Sequence, residues 1–284
     1  MTKKILADTL AGLATRALLT EAAITPKPGL VDAANSGAHR DMDLVTFLDS
    51  AATLTPYFRD VVLCTLEYHG PLGELIHTLR PIGLRAERDM FAVTGGVNTH
   101  KGAIFSLGIL CAAAAWLNKT GAAITPSALM QTSAAIAKGR SRTDKEDATS
   151  GAQAYAEHGL PGILGEAAQG FPHVFRVALP VLQDRMRTGD SLQTAGVAAL
   201  LHLIAVVDDT NVVARCGIDV LREVQAEVGA KLAGVRDGAD YVRCARVLDA
   251  GFIRRNVSPG GCADLLAGAV FVGMILAGKE RVLC

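Results

Sequence analysis

Aromatic residues make up only 5% of the 284-residue chain, with a single tryptophan, so the interior has to be built mainly from Ala, Leu, Val and Ile. Small, helix-favouring residues of that kind suit closely packed helices. Net charge is also lacking: 28 basic residues balance 28 acidic ones. That balance excludes a broad surface for nucleic acid or anionic membrane, although it allows a local basic pocket. None of the six cysteines (Cys64, Cys111, Cys216, Cys244, Cys262 and Cys284) belongs to a C-x-x-C pair, and they lie far apart. They read as reduced thiols of a cytoplasmic protein. The start of the chain carries lysines and then apolar residues, but Asp8 and Arg16 interrupt the run before it can serve as a signal segment, so no export is implied. The two most apolar tracts, from Ala103 to Leu117 and from Leu265 to Gly278, fall short of the roughly 20 residues of a membrane-spanning helix and read as core helices. Strand-like alternation is nearly absent, and there is no repeat of fixed period. The fold class expected is all-α, one multi-helix domain over residues 1–284.

What the chain does have is concentrated in a few short stretches. Thr94-Gly95-Gly96-Val97-Asn98-Thr99-His100-Lys101-Gly102 packs a turn, several hydrogen-bonding side chains and a cation into nine residues directly before an apolar helix. Asn98 or Thr99 would lie near the helix start, where free N–H groups and the positive end of the dipole suit an anion, and Lys101 adds a full charge. Neither a Walker A loop nor a G-x-G-x-x-G fingerprint is present, so any nucleotide site is of a less common kind. The bland alternative is a glycine turn and helix cap with His100 and Lys101 simply solvated.

Before it, a helix from Ile5 to Ala23 ends at the turn Thr25-Pro26-Lys27-Pro28-Gly29, followed by a polar stretch from Asp32 to Asp43 that reads as a functional loop. Asp43 by itself is better read as the cap of the helix beginning at Leu44. Helices are expected from Leu44 to Thr55, Tyr57 to Tyr68 and Leu72 to Arg80. A break at Pro81-Ile82-Gly83 is then followed by a helix to Val93 with an Arg85–Asp89 pair, which delivers Glu87 to the glycine loop. After the central helix, another runs from Thr125 to Lys138. The charged stretch from Gly139 to Asp147 reads as a solvated loop, and residues 149–158 as a short helix. Gly159 to Glu166 reads as a glycine-rich turn. Further helices are expected from His173 to Arg187, Ser191 to Val207, Ile218 to Lys231, Asp240 to Arg254, and Ala263 to the end.

Two more constellations carry chemistry. If Asp208-Asp209-Thr210-Asn211 and Arg215 are helical, Asp208, Asn211 and Arg215 share a face, and carboxylate, amide oxygen and guanidinium suit Mg²⁺ and phosphate. Asn256-Val257-Ser258-Pro259-Gly260-Gly261-Cys262-Ala263-Asp264 again places a glycine pair before an apolar helix, with an acid in its first turn.

Taken in order, Thr25-Pro26-Lys27-Pro28-Gly29-Leu30-Val31-Asp32, Ser36-Gly37-Ala38-His39 with Asp41-Met42, Gly96 through Gly108, Asp209-Thr210-Asn211 with Arg215, and Ser258-Pro259-Gly260-Gly261 with Ala263-Asp264 resemble the triphosphoribosyl-dephospho-CoA synthase family over nearly the whole chain. That family makes the prosthetic-group precursor of citrate lyase, with a close branch serving malonate decarboxylase. Two departures stand out: Leu164 and Ala168 flank Gly165-Glu166-Ala167 where the family often has Arg and Glu, and Cys216 replaces a common Gly. Glu166 is therefore left outside the core set.

The resemblance implies a transferase that joins ATP, its substrate, to 3'-dephospho-CoA and releases adenine, with Mg²⁺ expected. The product would pass to a second transferase that loads an acyl carrier protein. An α-linked product from a β-nucleotide implies one inverting step, which needs a base, help for the leaving adenine and a clamp on the triphosphate. On this basis Asp41, Glu87 and His100 are the catalytic candidates. Lys27, His39, Gly95, Gly96, Asn98, Thr99, Lys101, Asn211, Arg215, Ser258, Gly260 and Gly261 are the substrate- and phosphate-binding candidates, and Asp209 and Asp264 the metal ligands. Glu87 or Asp41 is the first choice for the base. Rival readings are a non-catalytic nucleotide- or CoA-binding module and a phosphohydrolase, and a homo-oligomer is left open.

Overall fold

The computed structural model describes residues 2–139 and 150–278. Most of the charged 139–147 loop and the last residues of the C-terminal helix expected from the sequence lie outside them. The regular structure of the described residues is all helix, without a strand. Its α-helices are α1 (Lys3–Ala23), α2 (Leu44–Thr53), α3 (Thr55–Glu67), α4 (Leu75–Val93), α5 (Lys101–Lys119), α6 (Pro126–Lys138), α7 (Ser150–His158), α8 (Gly162–Ala168), α9 (Leu179–Arg187), α10 (Leu192–Ile204), α11 (Thr210–Cys216), α12 (Ile218–Leu232), α13 (Gly238–Arg254) and α14 (Gly260–Gly278).

Alanine decides the architecture. Helix α1 buries Ala7, Ala11, Ala14 and Ala17 between Leu6, Leu10 and Leu18, a face flat enough to pack closely on α3 and α14. Helices α5 and α14 lie against each other at the centre, each apolar nearly all round. Both are 19 residues, longer than the tracts picked out from the sequence, and by length and composition alone each would cross a membrane. Instead 72% of the apolar window of α5 and 56% of that of α14 are covered by neighbouring helices, the environment of core helices. Around this pair α1, α3, α4 and α6 cover one side, and α9, α10 and α11 the other.

Caps mark several helix starts, and that of α2 is the one the sequence suggests. Asp43 accepts from Thr46 N at 2.9 Å while Thr46 returns a bond to Asp43 N, a full capping box, and Thr125, Ser191 and Asp237 cap α6, α10 and α13.

Four expectations are corrected. Pro81 does not break the helix: Leu75 to Val93 is continuous, because Pro81 sits on the exposed face, where the carbonyl it leaves without a donor meets water, while Leu75, Ile76, Leu79, Ala86 and Met90 anchor both halves. Arg85 pairs across to Asp60 of α3 and not with Asp89. The Gly159–Glu166 turn is short, since helix α8 already starts at Gly162, with Gly165 N donating to Pro161 O at 3.1 Å. Finally, the stretch before Arg187 opens as a π-helix over Val174–Ala178, and Pro180, with no N–H to give, stands at the junction.

The proline-rich turn docks on the far end of the chain through one glycine. Gly29 has φ +70°, its N–H donates to Asp249 Oδ1 at 2.9 Å, and a Cβ there would stand 2.1 Å from the carbonyl oxygen of Val257. Gly29→Ala is expected to destabilise the fold by about 2–5 kcal/mol, combining left-handed strain with a backbone clash. The midpoint of denaturant unfolding measures it, and an unchanged midpoint would mean that this turn does not have to sit where it does.

Candidate functional site

The starts of α5, α11 and α14 open on one cavity of about 1140 Å³, walled also by α1, the 27–42 loop, α4 and the segment from Tyr155 to His173. It exceeds the usual range for one small-ligand pocket. Every candidate residue named from the sequence lines it except Gly95 and Gly96, which take positive φ in the α4–α5 turn but face open space.

The α4–α5 loop is held by its own polar side chains. Asn98 Oδ1 accepts from Lys101 N at 3.2 Å at the start of α5. Thr99 donates to Ser50 Oγ at 2.7 Å, and Ser50 lies 2.7 Å from His100 Nδ1. His100 is buried, its Nε2 has no partner among the described residues, and Phe47 packs edge-on to the ring at 5.0 Å. Burial, reinforced by the Lys27 ammonium, pushes its pKa down to about 3. At neutral pH this ring is uncharged and offers no positive charge to a phosphate.

Lys101 reaches back to Glu87 of α4 at 3.1 Å. Lys27 is among the most deeply buried side chains, its Nζ bonded to Glu21 Oε1 at 2.5 Å and Glu21 O at 2.7 Å, so its ammonium is spent inside the protein. Asp32 organises the turn behind it, accepting from the backbone N–H groups of Lys27, Ala34 and Asn35. His39 Nε2 lies 2.8 Å from Ser258 Oγ and Nδ1 lies 3.8 Å from the exposed Asp41. Burial lowers the His39 pKa and Arg215 lowers it further, against Asp41. Arg215 is itself a strap, donating to Ala38 O at 2.6 Å, Asn256 O at 3.0 Å and Asn256 Oδ1 at 2.5 Å.

The Asp208–Asn211–Arg215 face does not form, because the helix stops at Ile204 and restarts at Thr210. Asp208, outside any helix, pairs with Arg222 and accepts from Gln225; burial raises its pKa, yet these bonds leave it below the ordinary value. Asp209 turns inward, capping α11 through Asn211 N at 2.9 Å and α14 through Cys262 N at 2.9 Å. It thus ties two helix starts together. Gly260 and Gly261 give it room: a Cβ on Gly261 would lie 3.0 Å from Asp209 Oδ2 and one on Gly260 3.1 Å from Asn211 Nδ2. Asp264 falls in the second turn of α14 and not the first as the sequence suggested, because the helix already starts at Gly260, and it presses on α5 so closely that a Cβ on Gly102 would lie 2.0 Å from its Oδ2.

The charge balance of the wall is the main electrostatic fact. Among the described residues of the wall, seven carboxylates (Glu21, Asp41, Glu87, Glu166, Asp208, Asp209 and Asp264) face three permanent cations, Lys27, Lys101 and Arg215. Five of the seven have a cationic or histidine partner. Asp209 and Asp264 make no ion pair among the described residues. Burial raises the Asp209 pKa in spite of its backbone donors. Burial, then the neighbouring Glu21 and Asp209, raise that of Asp264 well above the usual carboxylate value. Among the described residues no three His, Cys, Asp or Glu side chains form a ready metal cage. Two acids alone match a cation that takes most of its oxygens from water and phosphate.

Sequence reasoning missed Glu21, Ser50 and His173, and set Glu166 aside. Glu21 and Ser50 sit within helices, where spacing marks them only as polar positions. Glu166 is buried and accepts from His173 N and from His173 Nδ1, both at 2.8 Å. The Gly-Glu-Ala core kept from the family pattern was the available signal for it.

A family model described as CitG: ATP:dephospho-CoA triphosphoribosyl transferase matches residues 7–282. A Pectobacterium atrosepticum protein named 2-(5''-triphosphoribosyl)-3'-dephosphocoenzyme-A synthase is 44% identical over 256 residues, 88% of this chain and 84% of its own length. A Vibrio cholerae serotype O1 protein bearing the same name, qualified as "Probable", is 42% identical over 265 residues, 90% of this chain and 84% of its own. No solved structure matches the chain.

Proposed function

Because the chain belongs to the family of ATP:dephospho-CoA triphosphoribosyl transferases, we propose that its cavity joins ATP to 3'-dephospho-CoA, giving 2'-(5''-triphosphoribosyl)-3'-dephospho-CoA and adenine. The observation that carries the proposal is the meeting of three helix starts and two carboxylates without ion-pair partners in one cavity large enough for both substrates. The acceptor 2'-hydroxyl attacks C1' of the ATP ribose, the C1'–N9 bond breaks, and its electron pair leaves with adenine. Excluding water from this encounter is the work of the walls, since water at C1' would give hydrolysis.

The triphosphate is held by those backbone N–H groups at the starts of α5 and α14 that Asn98 and Asp209 do not already occupy, by Lys101 and by Asn98 and Thr99. His39, Ser258, Asn211 and Arg215 order ligand oxygens at the opposite rim, and Glu87 and Asp41 are the carboxylates from which the base for the 2'-hydroxyl is drawn. Lys27 acts from behind, by neutralising Glu21. A wall with seven acids repels a tetra-anionic nucleotide, and Asp209 and Asp264 would hold a Mg²⁺ that comes with it. The bound ion would neutralise phosphate charge.

Mixing the protein with ATP, Mg²⁺ and 3'-dephospho-CoA is expected to release adenine, and omitting any one component, or adding a chelator, to stop it. Chromatography of the products decides. ATP binding without adenine would favour a non-catalytic module, and inorganic phosphate with adenine still attached would favour a phosphohydrolase. The citrate lyase branch is the destination we adopt, with nothing favouring the malonate decarboxylase branch. The product would go to a second transferase that loads an acyl carrier protein. A cytoplasmic setting agrees with the substrates and with the free thiols at Cys64, Cys111, Cys216, Cys244 and Cys262.

A further inference from the structure

One pair of groups on the cavity wall is assigned no task by the reaction as described so far. Glu166 on α8 grips His173 at two points, through the backbone N–H and through Nδ1, each at 2.8 Å. A carboxylate only accepts, so Nδ1 must be the donor, and the ring is held in one orientation. Its other nitrogen, Nε2, has no partner among the described residues, and both residues line the cavity. Glu166 is buried, whereas His173 is only partly so, which makes the pair a fixed histidine with one nitrogen left for a ligand. The other charged or titratable groups acting here are Asp208, which faces His173 and is paired with Arg222, and Cys262 of α14, which faces Glu166.

Displacement of adenine from C1' puts an electron pair on the purine, which is a poor leaving group unless a ring nitrogen is protonated. We infer that His173, held by Glu166, is the proton donor to the departing adenine. This rests on the transferase reading above. As the C1'–N9 bond breaks, the proton on Nε2 goes to a purine ring nitrogen, and the oxygen of the 2'-hydroxyl bonds to C1' and gives its own proton to the base. One proton leaves the protein and one enters it, so the step balances, and solvent exchange resets both groups. The Glu166 hydrogen bond raises the His173 pKa against the effect of burial, with the negative charges of Glu166 and Asp208 adding to it, so the ring keeps its second proton to higher pH than it would without them.

The test compares two donors with wild type, His173→Gln and Glu166→Gln. One donor is ATP; the other is the 5'-triphosphate of 4-nitrophenyl β-D-ribofuranoside, whose nitrophenolate leaves without a proton. His173→Gln is expected to lose on the order of 100-fold to 10,000-fold in adenine release from ATP, yet to stay close to wild type in nitrophenolate release, which also shows that the variant folds. Glu166→Gln should move the alkaline limb of the pH–kcat profile with ATP to lower pH, because the proton on His173 is then lost sooner. Equal losses on both donors, or no loss on ATP, would overturn the assignment and leave the transferase reading in place. Wild-type protein that releases no adenine at all would overturn both.

Discussion

Asp264→Asn is expected to lower adenine release by about 100-fold or more, the scale on which even groups that support a metal ligand are felt, and to raise thermal stability at the same time. Both effects come from one position. Among the described residues the Asp264 carboxylate has no cationic partner; it faces Glu21 and Asp209, takes one backbone hydrogen bond from Ala103, and is packed onto Gly102. Ligand binding needs its negative charge, whereas the free fold does not. Its folded pKa lies above the unfolded one, so the stability it contributes is complete below about pH 4 and is lost as pH rises through the folded value. The variant should therefore match wild type in acid and gain on it progressively towards neutral and alkaline pH. Melting curves across that range, set beside turnover, check both. A variant that melts lower than wild type at pH 8 would mean that Asp264 is held by favourable contacts and is no charge reserved for a ligand.

Lys27→Met is expected to cost about 3–5 kcal/mol of folding stability, the effect of stranding one partner of a buried ion pair. Lys27 is 1% exposed and Glu21 3%, so water cannot take over the lost contact, and Asp264 adds repulsion to the stranded charge. Replacing both, Lys27→Met with Glu21→Leu, should recover most of the loss. The denaturation midpoints of the single and double variants separate this from a direct phosphate contact, which would raise the KM for ATP and leave the midpoint alone. The sequence placed Lys27 among the phosphate ligands on the family resemblance of its Pro-Lys-Pro-Gly turn. In the fold that turn is docked by Gly29 against Val257, and Lys27 points inward to the last turn of α1.

Asp208 and Asp209 show where local pattern runs out. Adjacent in the chain, they have opposite fates: one pairs with Arg222 of α12, and the other is buried between α11 and α14. Spacing within the segment holds no information on α12 or α14. His173 was passed over for the same reason, since its meaning comes from Glu166, seven residues earlier and on a different helix. The Arg85–Asp89 pair looked correct as an i,i+4 match until Asp60 on the neighbouring helix took the arginine.

What the sequence by itself determined are the properties carried by periodicity, small residues and ordered motifs: an all-helical chain, the Asp43 cap of α2, the two central apolar helices, and the family to which the motifs belong. These are local or cumulative signals, and each survives without knowledge of its neighbours in space. Tertiary structure alone decided which charges are spent on one another and which are left for a ligand. Lys27 neutralises Glu21, Arg215 straps three backbone and side-chain oxygens, and Asp209 and Asp264 remain without ion-pair partners among the described residues. The reason is physical: the state of an ionisable group depends on burial and on charges within a few ångströms, and in a helical fold most of those charges come from elsewhere in the chain.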